Sequence, residues 1–547
     1  MKQITLWVIL ALISISTATE AQPLTISDSS VQAITSARRF ATKIPDGKPY
    51  GESIRPDRIK WLIDTLASDA MQGRETGEEG QRIAADFIAQ QFRGMDLPPV
   101  ADKKTYFQNY QLQRDSWDAL SFTVEDKTLK NRTDYYVYPA YNNSNLTSNF
   151  KDVVFVGYGI EDATYSDYGS TDVKGKVVLL YAGEPQLNSG DFLLSGTQFR
   201  SSWSLDWKKK VRIATQKGAV LVLIVDPELN QNVRDNRREL SSRGWRPAFS
   251  GADAASNAIA NNIFISEETA NAILGKKAEK AAEALTAQKN GEGFKAIRFK
   301  TKFDVQLDKK MQTLTGANVI GLIEGTDPLL KNEYVFVTAH YDHLGKVEDV
   351  VYNGADDNAS GTSSVIEIAR AFAKAKKDGV GPKRSVVCML VSGEEKGLLG
   401  SRFYVDFPLF PLDKTVVDVN IDMVGRIDDA HAGNPDYVYV IGSDRLSSEL
   451  HEISEYANAN YTKLDLDYKF NDKNDPNRYY QRSDHYNFAE QGIPAIFYFN
   501  GTHADYHKAS DTADKIDAAA AAKRAQLAFY TAWDIANRQR RILADRK

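Results

Sequence analysis

From Gly316 onward the chain alternates between continuous apolar runs and stretches with helical spacing, and this alternation constrains the fold more than any other feature. EYVFVTAHYD reads as a strand, ASGTSSVIEIARAFAKA as a helix and RSVVCMLVSGEE as a strand. GLLGSRFYVDF then reads as a helix and VVDVNIDMVGR as a strand again. Strands apolar on both faces and separated by helices predict an α/β fold with a mostly parallel mixed sheet and helices on both faces. DAAAAAKRAQLAFYTAW adds a C-terminal helix.

A chain of 547 residues exceeds what one hydrophobic core usually serves, so more than one unit is expected. Residues 1–21 read as a signal peptide: Lys2, the apolar run LWVILALISI, and a small residue, Ala21, before the cut. The mature chain is therefore expected to be exported, to the periplasm or the extracellular space. No later stretch approaches 18 uninterrupted apolar residues, so no stable membrane insertion is expected once that segment is removed. Residues 22–147 begin the main unit. RPDRIKWLIDTLAS and EEGQRIAADFIAQQFRGM have helical spacing around the glycine-rich link MQGRETGEEG. From Tyr106 to about Tyr141, short alternating runs predict short strands.

Residues 148–300 have a different texture. DVVFVGYGI, GKVVLLYAG and GAVLVLIVD are β-branched runs, with KKKVRIATQKG as a helix between two of them. NNIFISEETANAILG predicts a strand, an N-cap at Ser266 and a helix. With no His and no carboxylate cluster among its apolar runs, this stretch reads as an inserted α/β or β-rich module without chemistry of its own. Residues 301–547 complete the main unit. A net charge of −5 gives no electrostatic footprint for nucleic acid or anionic membrane. Cys388 is the only cysteine, so no internal disulfide forms, and its place in SVVCMLV predicts a buried thiol.

The chemistry-bearing residues of the alternating region fall at strand ends. His340 and Asp342 close one strand, Asp356 and Asp357 follow in a loop, Glu394 and Glu395 close the next, and Asp422 ends a third. His507 follows the strand IPAIFYF. Parallel sheets bind ligands at the carboxyl ends of their strands, so these groups are expected to converge. Imidazoles with several carboxylates and no available thiol suit zinc or a similar divalent metal, and the carboxylates exceed what one tetrahedral ion takes. Two ions about 3.5–4 Å apart, sharing a carboxylate, would use them all in a hydrolytic site. Asp342, two residues from His340 on one strand face, is expected to orient that imidazole.

TAHYDHLG, NGADDNASGTSSVIEIAR, VSGEEKGLLGS, NIDMVG, RSDHYNF and DYHKASDT, in this order, resemble the motif set of the co-catalytic two-zinc aminopeptidases, a family with glutamate carboxypeptidase-like and, more distantly, glutaminyl cyclase-like relatives. MQGRETGEEGQRIAADFI resembles that family's N-terminal helix region, and the 148–300 module resembles a protease-associated domain. The resemblance implies two Zn²⁺ per chain and peptide substrates with a free N-terminus. It implies Asp357 as the bridging ligand, His340 and Asp422 on one ion, and Glu395 and His507 on the other. Glu394 would be the general base for a water bridging the metals, and Tyr506 matches a residue that in some relatives donates a hydrogen bond to the oxyanion. Asp356 is left outside the ligand set, as are His343, His431, His451 and His503, while His485 is assigned a structural or supporting role. Carboxypeptidase or dipeptidase action by the same centre is the main alternative. A one-zinc cyclotransferase fits the five ligands and the large insert less well.

Overall fold

The computed structural model describes residues 44–101, 104–142, 146–236, 239–240, 244–248 and 259–546. The expected signal peptide, 1–21, lies outside them. No helix among the described residues is long and apolar enough to cross a membrane.

The chain opens with helices α1 (Pro56–Leu66) and α2 (Glu79–Gly94), whose apolar stripes are buried. It continues through strands β1 (Phe107–Val124), β2 (Tyr135–Tyr136), β3 (Leu146–Phe155) and β4 (Val177–Tyr181). Helix α3 (Trp207–Gln216), β5 (Leu221–Val225), β6 (Asn261–Ile265), α4 (Glu267–Leu274) and α5 (Ala278–Lys289) follow. The Ser266 hydroxyl accepts the Thr269 amide at 3.1 Å, the cap expected for α4. Then come β7 (Ile297–Ile323), β8 (Tyr334–His340), α6 (Gly361–Lys377), β9 (Ser385–Val391), α7 (Leu399–Asp406) and β10 (Thr415–Ile421). The remainder is β11 (Tyr437–Ile441), α8 (Ser448–Ala457), β12 (Asp465–Asp467), α9 (His485–Glu490), β13 (Ala495–Phe499) and α10 (Ala518–Asn537).

One sheet runs in the order β12-β11-β13-β10-β8-β9-β7-β3-β4-β5-β6-β2, with β1 paired along β7. At its centre, β9, β8, β10 and β13 are mutually parallel. Alternation along each strand feeds two cores. Val335, Val337 and Ala339 face the core formed with α1, α2, α6 and α10, whereas Phe336 faces the one formed with α7 and Phe488. Both faces are thus apolar and covered, each fully buried Val or Leu contributing roughly 1.5–3 kcal/mol.

The span from Tyr106 differs from expectation. Instead of several short strands, β1 is one strand of 18 residues lying antiparallel along the 27-residue β7. Its middle, around the register shift between Trp117 and Ala119, is only half-buried. A strand that gains little burial there loses the clean period-2 pattern, and long-range pairing, invisible locally, holds it together. This arm links the peptide segments of the main core to two further clusters. These contain residues of β1–β6 and α3–α5 together with Ile297, Phe303, Val305 and Leu307 of β7.

Candidate metal centre

Register brings the strand ends level. His340 pairs with Val391, so the turn after β9 begins beside it, and β10 runs alongside in parallel. The result is a knot of imidazoles and carboxylates at the carboxyl edge. His340 Nε2 lies 3.2 Å from Asp422 Oδ1 and 3.3 Å from Asp357 Oδ1. The other Asp357 oxygen, Oδ2, lies 3.1 Å from His507 Nε2, which is itself 3.3 Å from Glu395 Oε2. Asp357 therefore presents one oxygen to each imidazole. Two groups of three ligand atoms with metal-compatible spacing share this carboxylate: His340, Asp357 and Asp422, and His343, Asp357 and Glu395.

The loop that carries Asp357 is set by contacts the local sequence does not advertise. Gly354 has φ +55°, and a Cβ there would stand 2.2 Å from the Asp357 carbonyl oxygen, so glycine is required. Asp511 accepts the amides of Asp356 and Asp357 at 3.0 and 3.1 Å. Asn358 accepts the amides of Gly361 and Met423 and donates to the Ile421 carbonyl, tying loop to strand end. Asp356 faces away, accepting from the Gly425 amide, with His503 Nε2 at 3.1 Å. Arg74, fully buried, donates to the carbonyls of Tyr341, Leu66, Asn353 and Gly354.

The remaining groups are equally placed. Asp422 Oδ2 accepts the Ser483 hydroxyl at 2.7 Å. The expected pairing of Asp342 with His340 takes a different form. His340 Nδ1 lies 3.1 Å from the Asp342 backbone carbonyl and 3.8 Å from its carboxylate. That carboxylate instead accepts the Thr76 hydroxyl at 2.7 Å and the Glu394 amide at 3.3 Å, holding the β9 turn. Glu394 lines the same small pocket as His340, Asp357 and Asp422, with Met423, Phe497 and Phe499 as apolar wall. Tyr506 lies at its rim, stacked on His507 with ring centroids 3.9 Å apart, and its oxygen accepts from Arg482 at 3.2 Å.

Among the histidines set aside from the ligand set, His343 stands inside the cluster, Nδ1 2.9 Å from Glu395 Oε1, with Nε2 buried and without a hydrogen-bond partner. His485 packs between the rings of Tyr480 and Phe497, and burial pushes it down to about 3, a neutral structural imidazole. His431 lies against Asp428, and His451 beside the Ser443 hydroxyl. Arg74 and Thr76 in the glycine-rich link, Asp511 in DYHKASDT and Arg482 in RSDHYNF were not assigned roles from the sequence. Their partners lie elsewhere in the chain, so the motifs that contain them do not show what they hold.

The electrostatics call for positive charge. Burial opposes protonation of His340, yet Asp422, Glu394 and Asp357 outweigh it and raise its pKa well above the usual range. His507 rises to about 10: burial lowers it, and its bonds to Asp357 and Glu395 more than reverse that. Glu394 is raised well above the ordinary carboxylate range by burial; His340 opposes the rise, and Glu395, Asp422 and Asp484 add to it. Imidazoles driven to hold protons beside crowded carboxylates are the donor set that divalent cations neutralise. The residues present fit such ions.

Residues 318–532 match Peptidase family M28. Aminopeptidase YwaD of Bacillus subtilis (strain 168) is 36% identical over 118 residues, 21% of this chain and 24% of that protein. Leupeptin-inactivating enzyme 1 of Streptomyces exfoliatus is 30% identical over 202 residues, 37% of this chain and 39% of that protein. The matched stretches span 14% to 39% of the length of these and a similar fungal protein, a probable glutamate carboxypeptidase of Arthroderma benhamiae. Among solved structures, an aminopeptidase from Aneurinibacillus sp. strain AM-1 aligns over 90% of this chain and 97% of its own, at 18% identity and a TM-score of 0.49.

Proposed function

We propose, from the match of residues 318–532 to Peptidase family M28, that the chain is an exported, zinc-dependent aminopeptidase that holds two zinc ions and releases N-terminal residues from peptides. The observation that carries this reading is Asp357, whose two carboxylate oxygens face two different imidazoles. His340 and Asp422 would complete one site, Glu395 and His507 the other. Zinc bound there supplies Lewis acidity toward the scissile carbonyl and lowers the pKa of a coordinated water.

The chain's own residues supply the rest. Glu394, beside both groups, accepts the attacking water's proton and returns it to the leaving amine. Asp342 supports this by accepting the Glu394 amide and by holding the His340 ring through its carbonyl. Tyr506 accepts a hydrogen bond from Arg482, which leaves its own O–H free to donate to the oxygen that gains charge as the carbonyl is attacked. Met423, Phe497 and Phe499 favour an apolar side chain next to the cleaved bond. The relatives named aminopeptidases support an N-terminal cut, while a probable glutamate carboxypeptidase is also among the similar proteins.

The module built on β3–β6 resembles a protease-associated domain, and we assign it to substrate access. Trp245, which precedes the Arg246–Pro247 pairing with β1, has its ring 5.8 Å from the ammonium of Lys396, the residue after Glu395. The test of the activity is amino-acid release from matched peptides with free and acetylated N-termini, with and without chelator. Release from the free form alone, abolished by chelator, is expected. Release of C-terminal residues from the acetylated peptides would replace this reading with a carboxypeptidase.

A further inference from the structure

The β3–β6 module holds a cavity of about 550 Å³. It lies beyond the carboxyl ends of two parallel strands, lined by Gly183 and Glu184 after β4 and by Asp226 and Glu228 after β5. That edge of a parallel sheet is where ligand crevices form. The walls are aromatic: Tyr136, Tyr138, Tyr158, Trp207 and Phe264. Tyr136 and Phe264 stack with centroids 4.7 Å apart, and Trp207 meets Phe264 edge-on at 5.0 Å, so the rings form one rigid surface.

Two carboxylates are buried in this lining, Glu184 at 5% and Asp226 at 4% exposure. Glu184 accepts from the Ser201 amide and hydroxyl at 2.6 and 2.8 Å and from the Ser204 hydroxyl at 2.8 Å. Asp226 accepts from the Tyr136 hydroxyl at 2.8 Å, the Glu228 amide at 2.9 Å and the Asn232 side chain at 2.9 Å. All six donors are neutral, and neither carboxylate has an ion-pair partner among the described residues. Buried Lys210 spends its donors on the Tyr181 and Gly183 carbonyls, and burial pulls it down to about 7. Arg200 and Lys289 reach the cavity from exposed positions at its mouth. Lys210 offsets part of the Glu184 charge from its own buried position, and a further cation entering this low-dielectric lining would meet the carboxylate charge that remains.

We propose that this cavity is a binding site for an organic cation, an ammonium or guanidinium on an apolar stem, as in a lysine or arginine side chain. The stem lies along the rings, which also attract the cation through their π faces, and the charged head meets Glu184 and Asp226. The site is separate from the hydrolytic centre and needs no zinc.

Calorimetric titration of the full-length chain with N-acetyl-lysinamide, N-acetyl-argininamide and the neutral isostere N-acetyl-norleucinamide tests it. Saturable binding of one or both cations is expected, at least about tenfold tighter than the norleucine compound and weakened about tenfold or more by Glu184→Gln, Asp226→Asn or Tyr158→Leu. The lysine and arginine arms tell ammonium from guanidinium. Equal binding of the norleucine compound, no binding at all, affinity unchanged in all three variants, or a response to calcium chloride in place of the organic cations would each overturn the proposal. The three-ligand comparison decides on the unaltered chain even where a carboxylate variant fails to fold.

Discussion

At the scale of single residues, the adjacent carboxylates Glu394 and Glu395 have different surroundings and so different expected failures. Glu395 lies between His343 and His507, within reach of both nitrogens, whereas Glu394 lines the pocket beside His340. Glu394→Gln keeps the shape but cannot accept a proton. It is expected to retain zinc and KM while kcat falls roughly 10²–10⁴-fold. Glu395→Gln is expected to lose zinc and to regain part of its rate when zinc is added. Metal analysis beside steady-state kinetics separates the two, and zinc loss in Glu394→Gln alone would reverse the roles. Tyr506→Phe removes the free hydroxyl donor and is expected to lower kcat about 10²-fold or more with little change in KM, measured on the same peptide. His340, Glu394, Glu395 and Asp422 were legible in the sequence because each lies beside a strand whose apolar run announces its end, whereas Asp357 and His507 stand in loops and were picked out by their motifs. The part His343 plays was not, because its nearness to Glu395 depends on how two loops fold over the sheet edge.

At the scale of elements, the central strands and covering helices follow from patterns within each segment, down to the Ser266 cap. The β1–β7 arm does not, since its half-buried middle carries no strong period and its pairing partner lies more than 200 residues away in the chain, Phe107 opposite Val319. Arg74 shows the same limit from the side of polar contacts. Four carbonyls from three segments converge on one buried guanidinium whose pKa burial lowers to about 10. Arg74→Met fills much of the volume but leaves those carbonyls without donors, each costing about 1–3 kcal/mol. The variant is expected to lose at least about 3 kcal/mol in denaturant unfolding and to bind zinc more weakly, because the loops bearing His340 and Asp357 lose their anchor. Full stability with unchanged zinc affinity would remove Arg74 from the support of the site.

At the scale of the whole molecule, two sets of cores share one sheet, and the Trp245 loop reaches from the module to the turn that carries Glu394 and Glu395. If the module governs access, Trp245→Ala is expected to change kcat/KM several-fold on long peptides and to leave dipeptide turnover unaltered, a contrast read from parallel kinetics. Equal effects on both lengths would point to the catalytic turn itself. The account as a whole depends on Asp357 serving two metal sites at once, so zinc content per chain is its most direct measurement. After reconstitution and removal of loose metal, elemental analysis is expected to give two zinc ions per chain, and Asp357→Ala is expected to weaken both. One ion or none in the unaltered chain would contradict the two-zinc centre.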